Sequence, residues 1–172
     1  MSVFTPVSKD EARALLEHYS LGELEKLEGI AQGVENTNYF LTTTTGEYVL
    51  TLFEHIPRKD LPFYVGLMDH LASHEISVPA PLRRDDGEML GELNGKPAVI
   101  VTRLPGAAQS QPDAKRCHRA GEILASVHVA GEEYDGRHQE DDRGGAPPPS
   151  RVGRRYRFGF QIGFRVGHDR EL

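Results

Sequence analysis

The chain has 172 residues, of which 38% are hydrophobic and 27% charged, as is usual for one soluble globular domain. No apolar run approaches the roughly 18 residues of a membrane span, the N-terminus lacks a secretion-signal pattern, and the single cysteine, Cys117, excludes a disulfide framework and fits the cytoplasm. Residues 1–135 carry 12 basic and 21 acidic side chains, a net charge of −9, which argues against nucleic-acid binding there, whereas residues 136–172 carry 8 and 5, a net charge of +3.

The first predicted element is a short helix. Ser8 and Glu11 have the spacing of a capping box, and the following apolar residues fall on one helical face, which predicts a helix over roughly 9–18. Gly22 ends this region, and the apolar residues from Leu24 to Ile30 lead into a first strand.

The stretch from Gly33 to Phe53 predicts strands separated by turns. Apolar residues alternate with other side chains around Tyr39 and again through Leu50, as in a sheet with covered faces. Asn36, Thr37 and Asn38 are interpreted as a polar turn between strands, and Gly33 would let a ligand approach the backbone. Such a turn could lie over nucleotide phosphates, although most turns of this kind are plain hairpins.

Further elements follow in order. Pro57 and Pro62 flank the start of a helix that runs to about residue 74. Asp86-Gly87 and Asn94-Gly95 predict hairpin turns, with strands near 88–93 and 97–102, the second apolar enough to be central. Pro112-Asp113 opens a longer helix whose predicted inner side carries apolar residues and one thiol: Cys117, Ala120, Ile123, Leu124 and Val127.

The last 37 residues differ in character, since arginine and glycine make up 15 of them. One interpretation is a flexible basic tail. The other, which we favour, is a change of reading frame near residue 136. Residues 156–166 alternate apolar side chains with arginine, glycine and glutamine, which is a strand pattern without an evident partner.

Three segments together resemble a known family: Gly33–Phe53, Leu61–Tyr64 and Thr102–Gly106. They are similar to bacterial homoserine kinases of the aminoglycoside-phosphotransferase/choline-kinase-like type, from about Val3 to about Tyr134. The resemblance implies an α+β fold, namely a protein-kinase-like N-terminal lobe with an antiparallel sheet and flanking helices. It implies a nucleotide-binding lobe over 1–105, a hinge and the first helix of a second lobe over 106–135, and an anomalous tail over 136–172.

The resemblance also implies ATP-dependent phosphorylation of the hydroxyl of L-homoserine, with Mg²⁺, on the way to threonine. It implies that the homoserine-binding site lies mostly in the second lobe, which is missing here. The residues it places over the ATP phosphates are Gly33, Asn36, Thr37 and Asn38. It assigns Thr102, Arg103 and Leu104 to the hinge that takes the adenine edge through backbone groups. Thr51 stands where protein kinases carry a lysine, which leaves the cationic contact to the phosphates unassigned.

The sequence lacks the catalytic His-x-Asp followed by Asn and the later metal-binding aspartate of such kinases, so we expect the chain as written to be inactive. His168-Asp169 has the wrong spacing, and His70 with His74 is better explained by packing than by a metal. Two alternatives stay open: another small-molecule phosphotransferase of the same fold, or a non-catalytic nucleotide- or RNA-binding fragment. The oligomeric state stays open as well.

Overall fold

The structure, a computed structural model, describes residues 3–31, 35–106 and 111–135. These residues form an antiparallel sheet with strand order β1-β2-β3-β5-β4, one helix against each face, and a third helix docked on the second. The elements are α1 (Lys9–Leu16), β1 (Leu24–Gly29), β2 (Asn36–Thr43), β3 (Gly46–Phe53), α2 (Leu61–Ser73), β4 (Gly91–Leu93), β5 (Lys96–Thr102) and α3 (Ala114–Glu132). The predicted α+β fold is confirmed.

The capping box predicted at the start of α1 is formed. The Ser8 hydroxyl accepts a hydrogen bond from the Glu11 amide at 3.3 Å, and Glu11 Oε2 accepts from the Ser8 amide at 2.7 Å. The bonds with Ser8 lower the pKa of the Glu11 carboxyl. The helix then buries Ala12, Leu15 and Leu16 against the sheet, as its apolar spacing predicted.

The polar turn predicted at residues 36–38 is wrong, because β2 already begins at Asn36. Asn38 lies opposite Thr51 and Thr37 opposite Leu52 in a continuous antiparallel ladder with β3. Thr37 and Tyr39 are buried on one face, so the alternation of the strand extends through the asparagine-rich stretch. Both asparagines are paired with β3 in this ladder, and the Asn38 side chain accepts a hydrogen bond from Thr51 on that strand.

The second half of the sheet agrees with most of its sequence signals. Asn94 and Gly95 have φ angles of 52° and 72° and make the tight turn between β4 and β5. β5 is interior, and Val99 and Ile100 are almost fully buried. The strand predicted over 88–93 is shorter, since β4 begins only at Gly91. The preceding residues Met89 and Leu90 pack against the α2 side of the sheet instead of pairing.

Two apolar cores lie on opposite faces of the sheet. The core beneath α1 is built mainly from Leu15, Leu16, Tyr39, Leu41, Leu50, Leu52 and Ile100. The core beneath α2 is built from Phe53, Leu61, Val65, Met68, Val99 and Val101. Within the described part of α3, only Ala130 is buried, and Leu124 is 56% exposed. On the predicted inner side of this helix, Cys117, Ala120 and Leu124 are exposed, while Ile123 and Val127 are half-buried. The described residues therefore leave most of that side uncovered.

Several predictions lie outside the described residues. Gly33 is one of them, as are the strand pattern at 156–166 and the whole of 136–172. Among the residues that the structure does describe, no helix is both long and apolar enough to cross a membrane.

Candidate functional site

The α2 side of the sheet has a strip that the helix leaves half-exposed. Antiparallel partners share a face, so Asn36 and Asn38 on β2 point the same way as Thr51 and Phe53 on β3. Phe40 lies opposite Val49 farther along. The open strip is defined as Asn36, Asn38, Phe40, Val49 and Thr51, all of them half-buried. It combines a polar end, towards residue 35, with an apolar end.

Asn38 is the most firmly oriented polar group of the open strip. Thr51 Oγ1 donates a hydrogen bond to Asn38 Oδ1 at 2.7 Å, and Asn38 Nδ2 donates to the Asn36 carbonyl at 3.2 Å. Since the amide group has two N–H donors, one remains without a partner among the described residues. Thr51 was predicted to stand where protein kinases carry a lysine. Its hydroxyl donates its one hydrogen bond to Asn38 and so orients the Asn38 side chain.

The structure does not bring the Thr37 side chain to the strip. Thr37 is fully buried on the α1 face, where its hydroxyl oxygen accepts from the amides of Phe4 and Thr5 at 2.9 and 3.1 Å. The same hydroxyl donates to Glu54 Oε1 at 2.7 Å. Thr37 was predicted to lie over the ATP phosphates, but its side chain points to the other face of the sheet. There its hydroxyl holds the N-terminal segment against β2.

Glu54 is a buried carboxylate at the end of β3. Its side chain is 4% exposed and pairs with Lys96 Nζ at 3.1 Å. Burial raises the pKa of Glu54, but the hydrogen bonds from Thr37, Thr5 and Lys96 outweigh that effect, so the pKa lies below its ordinary value. This network connects the N-terminal segment, the start of β2, the end of β3 and Lys96 of β5.

The predicted hinge residues lie at the apolar end of the strip. Thr102 is bound twice to Ala80, through its amide to the Ala80 carbonyl and through its hydroxyl to the Ala80 amide, each at 2.9 Å. The Arg103 guanidinium lies 4.3 Å from the centre of the Phe40 ring and pairs with Glu47 at 3.1 Å. Leu104 is half-buried. The Thr102 amide is thus already engaged within the protein.

A cavity of about 340 Å³ opens at the polar end of the strip. Its lining residues come from the start of β2, the segment after β3 and the start of α2: Glu35, Asn36, His55, Ile56, Pro57, Asp60 and Tyr64. Of these, only Asn36 was a predicted site residue. The sequence carried no clear signal for the others. Asp60, for example, was recognisable only as the residue before the helix start at Leu61-Pro62.

The remaining candidates do not form sites. His70 Nε2 lies 2.9 Å from the Ala130 carbonyl, and His74 Nε2 lies 3.5 Å from a Glu133 carboxylate oxygen. Both histidines therefore serve the contact between α2 and α3, as packing predicted. In the described part of the chain there is no group of at least three histidine, cysteine or acidic side chains placed to hold a metal. Cys117 is exposed.

The chain is similar in sequence to curated homoserine kinases. The chain is 53% identical over 143 residues to a homoserine kinase of Burkholderia pseudomallei, a match that covers 83% of this chain and 43% of that protein. It is 52% identical over 134 residues to a homoserine kinase of Burkholderia thailandensis, covering 78% and 40%. The chain thus spans less than half the length of the curated relatives it matches.

Solved structures share the fold at low sequence identity. An amicoumacin kinase in complex with AMP-PNP and Ca²⁺ has a TM-score of 0.62 at 17% identity, over 76% of this chain and 42% of that one. A spectinomycin phosphotransferase in complex with ADP has a TM-score of 0.58 at 13% identity, over 73% and 39%.

A family model described as the phosphotransferase enzyme family matches residues 26–158. This match extends past Tyr134, where the sequence resemblance was expected to end, and it takes in most of the sheet together with α2 and α3. Because it covers well over half of the chain, the protein belongs to the phosphotransferase enzyme family.

Proposed function

We propose that this chain carries the nucleotide-binding part of a homoserine kinase, which transfers the γ-phosphoryl group of ATP to the side-chain hydroxyl of L-homoserine. The observation that carries the proposal is the 53% identity to a homoserine kinase over 83% of this chain. Since the chain spans 43% of that relative, the activity is proposed for the enzyme as a whole. The proposed use of ATP supports a cytoplasmic location for the enzyme.

The open strip suits a nucleotide. Phosphate oxygens accept hydrogen bonds, and the polar end of the strip offers the second Asn38 N–H with its orientation fixed by Thr51. At the other end, Phe40 and Val49 supply an apolar surface of the kind that an adenine ring covers, next to the Arg103 hinge. Bound ATP would supply the phosphoryl group, and this chain's residues would hold and orient it.

The metal ligands and the base for the acceptor hydroxyl are assigned to the part of the enzyme that this chain does not span. Phosphoryl transfer requires both, in addition to a phosphate clamp. Mg²⁺ takes hard oxygen ligands together with phosphate oxygens, so it would be held between the nucleotide and that other part. On this proposal residues 1–105 form the nucleotide lobe and residues 106–135 begin the second lobe.

A chimera tests the proposal. Residues 1–135 of this chain would be joined to the remaining part of the Burkholderia pseudomallei homoserine kinase, and ADP release would be measured with Mg·ATP and a panel of acceptors. We expect turnover with L-homoserine and none above background with spectinomycin, and no turnover by the 172-residue chain alone. A folded chimera that prefers another alcohol would support a different phosphotransferase, and one inert to every acceptor would refute the kinase assignment.

A further inference from the structure

A segment near the N-terminus lies on the α1 face of the sheet, behind the open strip. It comprises residues 3–7 and is called the N-terminal strap. Val7 belongs to the buried core beneath α1, and Val3 packs against that core. Gly29, at the end of β1, makes room for the strap, because a Cβ there would lie 3.0 Å from Val3 Cγ2. The strap is therefore packed closely against the edge strand β1.

The strap is hydrogen-bonded to β2 at two residues. Two of its amides donate to the Thr37 hydroxyl at 2.9 and 3.1 Å, and the Val7 amide donates to the Tyr39 hydroxyl at 2.8 Å in a buried bond. Thr37 and Tyr39 are the immediate neighbours of Asn38 along the strand. Because successive side chains of a strand point to opposite faces, Asn38 points to the open strip while the residues on either side of it are held from behind.

The Thr37 hydroxyl is oriented to accept from both strap amides. It donates to Glu54 Oε1 at 2.7 Å, so its proton points away from the strap. A hydroxyl group has one donor and two acceptor sites, and all three are used here. Glu54 is in turn held by Lys96 at 3.1 Å. The fully buried Thr37 thus joins the strap to the ends of two strands.

The contacts on the two faces of β2 restrain different parts of Asn38. On the open strip, the Thr51 hydroxyl bonds to the Asn38 side chain at 2.7 Å and fixes the rotation of its amide group. The Ile30 amide donates to the Asn38 carbonyl at 2.8 Å and ties it to the end of β1. The strap restrains the backbone on both sides of Asn38, which sets how far the amide reaches into the strip.

We propose that the N-terminal strap positions Asn38 for a nucleotide phosphate, through its hydrogen bonds to Thr37 and Tyr39. The inference rests on the proposed function and extends it to residues whose side chains lie on the face away from the nucleotide. Hydrogen bonds to charged acceptors are short and directional, so a small shift of β2 weakens such a bond. Thr37 and Tyr39 are positioning residues, and their loss cannot cost more affinity than the loss of the Asn38 amide.

A double-mutant cycle in the full 172-residue chain tests the proposal, with mant-ATP affinity as the readout. Thr37→Val should weaken binding about 3- to 10-fold, up to the effect of losing the Asn38 hydrogen bond. In an Asn38→Ala background the same change should alter affinity by less than about 2-fold, because the group that the strap positions is gone. Thr37→Ser keeps the hydroxyl and should bind within about 2-fold of the wild type. A purely structural role for Thr37 would not depend on Asn38.

Two control variants separate positioning from a general loss of stability. Gly22→Ala disturbs the fold beyond the other end of β2, where an added Cβ would overlap with the Thr44 hydroxyl, and it should lose stability without losing affinity. Asn94→Ala removes an exposed hydrogen bond from Asn94 to the Pro6 carbonyl of the strap. Because that bond does not involve β2, this variant should bind the analogue as the wild type does.

The outcomes distinguish the strap from the nucleotide face. Unchanged affinity in Thr37→Val, or an equal loss with and without Asn38, would overturn the role of the strap and leave the proposed function standing. A folded wild-type chain that does not bind the analogue would refute the nucleotide face, and this inference with it. If Thr37→Val does not fold, Tyr39→Phe takes its place, since it removes the acceptor of the Val7 amide. It should weaken binding about 2- to 5-fold, and only when Asn38 is present.

Discussion

Thr37→Val is the sharpest perturbation of the hydrogen-bond network that lies beneath the proposed nucleotide face. Valine has nearly the same shape as threonine, so the change removes the hydroxyl without opening a cavity. It deletes the acceptor for the Phe4 and Thr5 amides and the donor to Glu54, while Lys96 still neutralises the carboxylate.

The expected cost follows from these bonds. A buried group left without its partner costs about 1–3 kcal/mol, with hydrogen bonds to charged groups at the upper end. The Glu54 side chain is only 4% exposed, whereas Phe4 is exposed and Thr5 half-buried, so that water can reach their amides in part. We therefore expect a loss of about 2–4 kcal/mol, a large share of the 5–15 kcal/mol that is usual for a domain.

Urea unfolding followed by circular dichroism measures the change, and Thr42→Val provides a matched control. Thr42 lies on the same strand, and its hydroxyl has no hydrogen bond within the part of the chain that the structure describes. The control should stay within about 0.5 kcal/mol of the wild type. If Thr37→Val costs no more than the control, the Thr37–Glu54 network does not stabilise the fold and the account of it is wrong.

Three further predictions concern stability. Because the pKa of Glu54 is lowered in the folded state, the stabilisation it provides should be present above its ordinary pKa of 4.5 and be lost as pH falls below that value. In a series of urea unfolding midpoints at different pH, Thr37→Val should therefore lose less stability on acidification than the wild type. Gly22→Ala should cost about 2–4 kcal/mol of stability, because Gly22 has a φ of 74° and an added Cβ would overlap with the Thr44 hydroxyl. Gly95→Ala should cost only about 1–2 kcal/mol, because Gly95 has a similar φ of 72° but open space around it. Equal losses of stability in thermal melts would contradict this. Leu124→Lys on the exposed face of α3 should change stability by less than about 0.5 kcal/mol and lower light scattering, and a large loss would mean that this face is covered.

Local sequence signals predicted the elements whose stability is local. The Ser8 capping box and the Asn94-Gly95 turn depend on residues within a few positions of one another, and both are formed. The alternation through Leu50 and Leu52 reports burial on one face, and both residues are fully buried. These features needed no knowledge of distant partners.

Predictions from the sequence were wrong where a residue's hydrogen-bond partners lie far away along the chain. Asn36, Thr37 and Asn38 have the composition of a turn, yet Thr51 and Glu54, more than ten residues away, hold two of them in a strand. The sequence did not predict the cavity lined by Asp60, because that cavity is formed by three segments that lie apart along the chain. The proposal of a nucleotide face came from the resemblance to homoserine kinases, because residue spacing alone did not predict it.

The central claim is that the half-exposed face of β2 and β3 binds ATP. Fluorescence titration of the 172-residue chain with a mant-ATP analogue tests it most directly, with Asn38→Ala as the variant and Asn94→Ala, in the β4–β5 turn, as the control. We expect saturable binding by the wild type and by the control. Asn38→Ala should weaken it about 10-fold, the effect of losing one hydrogen bond to a charged phosphate. A folded wild-type chain that does not bind the analogue, or an Asn38→Ala chain that binds it equally well, would contradict the account.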